Sequence, residues 1–113
     1  MRLARISVVN THRGTLEEDN AVYLARAVER IRLVARDKPD VILLSELFAN
    51  HAAKPTRRAV ADAAQDLEGP IVEELAALAR RYRTHIAFGL LRRHGAARIY
   101  NSLVLLDRRG KPA

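Results

Sequence analysis

Glu46 is the residue of this 113-residue sequence best placed to do chemistry. It follows the uninterrupted apolar run Val41-Ile42-Leu43-Leu44 and then Ser45. Such a run suits a strand buried on both faces, and open α/β sheets gather their ligands at the carboxyl ends of their strands. A carboxylate there is positioned to take up or return a proton. The plain alternative is a solvated loop or helix-cap glutamate. The histidines offer no second centre: His12, His51, His85 and His94 are dispersed, without His-Glu-x-x-His spacing or a carboxylate cluster, so no metal site is expected. They read as surface or loop residues, although His51, close after Glu46, could face the same pocket. There is no cysteine, which removes disulfides, thiolate metal sites and a nucleophilic thiol from these residues. No cofactor is expected.

The elements that must position Glu46 follow from periodicity and punctuation. Leu3 to Val9 reads as a strand and Asn10 to Gly14 as a loop. Thr15 and Glu18 have capping-box spacing, which predicts a first helix from near Leu16. Its apolar stripe would be Ala21, Leu24, Ala25, Val28, Ile31 and Ala35. Pro39 should end it by about Asp37, since the residue before proline avoids the α conformation. Asp40 to Leu44 is then the second strand, and strand, helix and strand make a βαβ unit with a parallel pair. A loop over 47–55 leads to a helix from about Thr56 to Asp66, with Thr56 as N-cap. Glu68-Gly69-Pro70 breaks the chain, and a third helix starts at Pro70, where a missing N–H costs nothing. It would bury Ile71, Leu75, Leu78, Ala79 and Tyr82, with Arg80, Arg81 and Arg83 at its C-terminal dipole.

Thr84 to Leu91 reads as a third strand. Gly89 inside it signals a bulge or a close backbone approach, and the sequence does not choose between them. His94-Gly95-Ala96 connects to a fourth strand, Arg98 to Leu106, which is apolar on both faces as for a strand between a helix layer and a second sheet. Asp107 to Pro112 is a turn. The order is β-α-β-α-α-β-β and the class is α/β.

Composition narrows the partners. An apolar fraction of 49% with 29% charged residues is that of a globular chain, and no apolar run approaches the roughly 18 residues of a bilayer span. A soluble cytoplasmic protein without membrane contact is expected. The net charge of +7 comes from pairs such as Arg57-Arg58, Arg80-Arg81, Arg92-Arg93 and Arg108-Arg109. These read as solvated element ends and faces with acidic residues between them, so no nucleic-acid partner is expected. A basic nucleic-acid-binding module is the alternative, and a catalytically dead interaction domain is another.

The segment Asp40-Val-Ile-Leu-Leu-Ser-Glu-Leu-Phe48 resembles the carbon-nitrogen hydrolase (nitrilase-type) family, in which an apolar strand delivers a catalytic glutamate, commonly after a proline. Ser45 stands where that proline would be. Gly69-Pro70, Ile86-Ala87-Phe88-Gly89, Tyr100-Asn101-Ser102 and Asp107-Arg108-Arg109-Gly110-Lys111 follow in the family's order. The resemblance spans nearly the whole chain, so residues 1–113 read as the N-terminal portion of one family domain, about its first two-fifths. It implies an α-β-β-α sandwich, incomplete here, that assembles into homo-oligomers. It also implies a Glu-Lys-Cys triad that hydrolyses small amides, nitriles or carbamoyl compounds through a cysteine thioester. Glu46 would be the general base. Lys111 matches the turn lysine and not the catalytic one, so the lysine and cysteine of the triad are absent, and the chain alone is expected to be inactive. Asn101 matches a recurrent family position, with a structural hydrogen-bonding role expected for its amide.

Overall fold

The computed structural model describes residues 2–11, 19–52 and 54–113. Their elements run β1 (Ile6–Val9), α1 (Asn20–Val34), β2 (Val41–Leu44), α2 (Arg57–Ala63), α3 (Pro70–Tyr82), β3 (His85–His94) and β4 (Arg98–Leu106), the expected α/β order. One four-stranded sheet has the spatial order β1-β2-β3-β4. The helical crossovers make β1, β2 and β3 parallel, with Val9 opposite Leu44 and Ile42 opposite Ile86. The short Gly95 connection makes β4 antiparallel to β3, with Gly89 opposite Leu103 and Leu91 opposite Asn101.

Alternation along the strands puts one set of side chains under the helices. Ile42 and Leu44 of β2, Ile86, Phe88 and Leu90 of β3, and Val104 and Leu106 of β4 pack into one core with Tyr23, Ala27 and Ile31 of α1 and Ile71, Leu75 and Ala79 of α3. Burying the Val, Leu, Ile and Phe side chains among them stabilises the fold by about 1.5–3 kcal/mol each. The other face of the sheet is open. Val8, Leu43, Ala87 and Leu105 lie in one cross-strand row, and Ile6, Val8 and Leu103 are 61%, 72% and 74% exposed. β2 is therefore not buried on both faces as its composition suggested. Helices α1 and α3 lie on one side, and no second sheet covers the other among the described residues.

Several boundaries differ from the sequence reading for local reasons. Thr15 to Glu18, the expected capping box, lie outside the described residues. The described helix starts at Asn20, with Asp19 extended and its carboxylate accepting from the Ala21 N–H. The buried stripe of α1 runs through Tyr23, Ala27, Val28 and Ile31, while Ala21 and Ala25 are exposed, because alanine fits either face. A 3-10 turn over Ala35–Asp37 and a left-handed Lys38 (φ 51°) end the winding before Pro39. Thr56 caps α2 by accepting from the Ala59 N–H. That helix ends at Ala63 because the next residues turn extended and pair with β3: Gln65 N–H donates to Leu91 C=O, and Arg93 N–H to Gln65 C=O. β3 accordingly continues to His94, and Arg92 and Arg93 are half-buried in it and not on an exposed end. Pro70 opens α3, and Tyr82 packs at the margin of the core. No described helix is long and apolar enough to cross a membrane.

Candidate active site

β2 runs parallel between β1 and β3 and ends at Leu44, so Glu46 emerges at the carboxyl end of the central strands. The turn that carries it is fixed on both sides. Ser45 Oγ lies 3.0 Å from Thr11 Oγ1, a hydroxyl pair joining the exits of β2 and β1. Thus the serine in place of the family's usual proline makes a bond that a proline could not. Leu47 has φ 44°, left-handed backbone that a leucine adopts only under constraint. This turn separates exposed Glu46 from Phe48, which is 2% exposed and packs edge-on to Phe88 with ring centroids 6.0 Å apart.

Two contacts with β3 hold the segment down. The first is Gly89. An ideal Cβ there would lie 2.7 Å from Leu47 N and 2.9 Å from Glu46 Cα, far inside ordinary contact. Close approach, and not a bulge, is therefore the reason for this glycine, and the β3–β4 register runs through it without interruption. The second is Asn50, 1% exposed. Its Oδ1 accepts from Leu91 N–H at 3.1 Å, and its Nδ2 donates to Leu91 C=O at 2.8 Å and to Ala63 C=O at 3.3 Å. β2 pairs with β3 only as far as Ala87, and beyond that point this amide takes the place of a neighbouring strand.

The carboxylate itself is met from β4. Asn101 Nδ2 donates to Glu46 Oε1 at 2.5 Å. Asn101 shares the open sheet face with Leu103 and Leu105, and a shallow cleft of about 300 Å³ lies here, lined by Leu44, Glu46, Gly89, Asn101, Ser102 and Leu103. A proton acceptor, an amide donor and an apolar wall thus border one small space. A larger cavity of about 670 Å³ lies away from it, along α1 and next to Glu74 of α3; it has charged residues at its margin but nothing comparable to the carboxylate and amide pair.

The remaining candidates fall elsewhere. His12 lies outside the described residues. His51 is buried, with its ring 5.2 Å from that of Tyr23 in an edge-on arrangement, while its carbonyl accepts from Asn20 Nδ2 at 3.2 Å. It is a core residue under the loop and not a surface one. His85 is half-buried, with Nδ1 3.3 Å from the Asp40 carbonyl. His94 is exposed beside Tyr100. Lys111 sits beyond the opposite end of β4 from Asn101, in a turn where Asp107 Oδ1 accepts from the N–H groups of Arg109 and Lys111 at 2.8 and 3.0 Å.

The pole of the sheet opposite Glu46 is held by two ionised aspartates. The Arg5 N–H lowers the Asp40 pKa from its ordinary value of 3.8, with help from the charges of Arg2 and Arg108. Arg108 reaches Asp40 at 2.8 Å, and Arg5 also donates to the Asp37 carbonyl. Asp107 is likewise lowered, chiefly by the Lys111 N–H and then by that of Arg109. These groups tie together the start of β1, the entry to β2 and the end of β4.

The described strands thus form one mixed sheet that carries a carboxylate at the mouth of its second strand, met by an amide from its antiparallel fourth. The sequence matches the carbon-nitrogen hydrolase family over residues 5–113, and the chain belongs to that family. No curated protein matches it. Solved structures share the fold. A carbon-nitrogen hydrolase from Helicobacter pylori G27 superposes with a TM-score of 0.81 at 12% identity, over 97% of this chain and 37% of that one. A carbon-nitrogen hydrolase superfamily protein from Xanthomonas campestris, with an arsenic adduct in its active site, gives 0.80 at 23% identity, over 100% and 40%. An N-terminal amidase solved with a Gln-Gly peptide gives 0.81 at 16% identity, over 97% and 26%. The chain therefore spans between a quarter and two-fifths of these proteins, and its fold is the corresponding part of theirs.

Proposed function

We propose that this chain is the N-terminal portion of a hydrolase that cleaves a non-peptide carbon–nitrogen bond, in an amide, nitrile or carbamoyl compound of small size. Glu46 is its general base. The observation that carries this reading is the Glu46 carboxylate at the carboxyl end of β2, bonded by Asn101 and bordering a cleft on the open sheet face. In such a reaction on an amide a thiol loses its proton to the carboxylate as it attacks the carbonyl carbon, the C–N bond then breaks as the amine leaves carrying that proton, and the thioester formed is hydrolysed by water that the same carboxylate activates. Residues 1–113 contain no cysteine. On this reading the nucleophile comes from outside them, as does the lysine that opposes charge on the tetrahedral intermediate, since Lys111 matches the family's turn lysine and lies beyond the far end of β4 from Asn101, and the chain by itself is inactive. The open apolar face is where the rest of such a domain would seat, and the protein works in the cytoplasm as a homo-oligomer.

The test has two arms. The isolated 113-residue chain is assayed against a panel of simple amides, nitriles and N-carbamoyl amino acids, with no turnover expected. The complete polypeptide is then compared with its Glu46→Gln variant, for which a loss of about 10³-fold or more in kcat is expected, since removing a catalytic base forfeits its whole contribution. Turnover by the isolated chain that Glu46→Gln abolishes would overturn the inactivity, and unchanged kcat in the complete variant would overturn the role of Glu46.

A further inference from the structure

The assignment of Glu46 as base leaves open how a flexible carboxylate on an exposed turn is held ready. We infer that Asn101 is the positioning residue for Glu46: it binds Oε1 and leaves Oε2 as the oxygen that accepts the proton. This rests on the reading of Glu46 as base.

The geometry has three parts. The bond itself is direct, with Asn101 Nδ2 2.5 Å from Glu46 Oε1, and a hydrogen bond to a charged acceptor is stronger than one between neutral groups. The donor is also better anchored than the acceptor. Asn101 lies within the nine-residue strand β4, in register with Leu91 of β3, whereas Glu46 lies on a turn after β2. A strand holds a side chain more closely than a loop does. The third part is that the two residues are brought together through β3. Gly89 takes the Glu46 backbone against one part of that strand, and the Leu91 register places Asn101 two residues further along it. Slippage of either contact would separate the pair.

The residue type is suited to this role. A carboxylate accepts through two oxygens, and one bond to a fixed donor stops the free rotation that would otherwise have to be frozen at each turnover. An amide does this without adding charge. A lysine or arginine in its place would pair with the carboxylate and reduce its basicity, and an aspartate would repel it. With Oε1 occupied, Oε2 is the oxygen left for the proton of an incoming thiol and then for the proton of water.

Two measurements test the inference. In the complete polypeptide, Asn101→Ala and the isosteric Asn101→Asp are each expected to lower kcat about 10- to 100-fold, the equivalent of one hydrogen bond to a charged group, with KM changed less than about threefold. A role in substrate binding would instead move KM. Unchanged kcat in both variants, or a change confined to KM, would overturn the positioning role while Glu46→Gln still abolished turnover; an active Glu46→Gln variant would sink the base assignment instead. The second measurement needs no activity. In the 113-residue chain, the Asn101 side-chain amide signals are followed by NMR through an acid titration. They should shift as Glu46 takes up its proton and stay flat in Glu46→Gln. Signals that stay flat in the unaltered chain, or move equally in both, would overturn the inference.

Discussion

Gly89→Ala tests the packing that presents Glu46. The added Cβ would sit 2.7 Å from Leu47 N, 2.9 Å from Glu46 Cα and 3.2 Å from the Glu46 carbonyl carbon, so the turn would have to withdraw by about 0.7 Å to reach the 3.4 Å of ordinary contact. All three obstacles are backbone atoms. The turn has little freedom to retreat, because Phe48 is locked in the core and Asn50 is bonded to Leu91. Overpacking of this kind costs about 1–3 kcal/mol, offset by roughly 0.4–1 kcal/mol because alanine stiffens the unfolded chain. A net loss of about 1–2 kcal/mol lowers Tm by roughly 4–15 °C in a domain of this size. Thermal unfolding followed by circular dichroism checks it, with Gly95→Ala as the comparison. Gly95 has φ +67°, and a methyl added there would meet only open space, so its replacement strains only its own backbone, by about 1 kcal/mol, and leaves the amide signals of Glu46 and Leu47 in place. Gly89→Ala should move those signals and, in the complete polypeptide, lower kcat by up to about 100-fold through misplacement of the proposed base. A Gly89→Ala variant that melts within a degree of the parent, with Glu46 and Leu47 signals unmoved, would refute the close-approach account.

Asn50→Ala removes the partner of the buried Leu91 N–H and leaves a small void, at a cost of about 2–4 kcal/mol in urea unfolding; Leu91 C=O retains its bond from Gln65 N–H. Asn50→Asp should be worse at neutral pH, since a carboxylate oxygen then faces the Leu91 and Ala63 carbonyls, and should recover as acid protonates it. Asp40 and Asp107 act in the opposite sense. Their folded pKa values lie below the ordinary 3.8, so they contribute stability above that pH and lose it as the pH falls through the lower folded values. Asp40→Asn and Asp107→Asn should each flatten the loss of stability below about pH 4 in acid titrations monitored by fluorescence of a bound dye or circular dichroism, and an unchanged acid limb would contradict this. The open sheet face should make the isolated chain associate, and Val8→Lys or Leu103→Lys, at its most exposed apolar positions, should reduce that association in sedimentation. A stable, monodisperse monomer of the unaltered chain would count against it.

The order and type of the elements were legible because strand and helix periods differ and Pro39, Gly69 and Pro70 punctuate them. The stripe of helix α1 was right at Val28, Ile31 and Ala35 and wrong at Ala21 and Ala25, since alanines carry too little hydrophobic contrast to mark a face, and Tyr23 was the informative residue. The end of α2 depended on Gln65 finding β3, a pairing with no local signal. At the site, Glu46 could be singled out by its place after an apolar strand. Asn101 was legible as a hydrogen-bonding residue, but its pairing with Glu46 was not, because 55 residues separate the two and only the β3–β4 register brings them together. Asn50 looked like any polar loop residue, as nothing in its neighbours reveals that it replaces a strand. Gly89 was recognisable as exceptional, and it took the third dimension to say why.

Strand order in the sheet follows chain order, and this gives the fold a direction in time. Synthesis delivers the strands in the order in which they lie, so none has to insert between two that are already neighbours. The glutamate leaves the ribosome early, on the second strand, whereas the asparagine that holds it arrives on the fourth. Until the β3–β4 hairpin forms, Asn101 cannot reach the carboxylate, so the pair is completed only by the fourth strand.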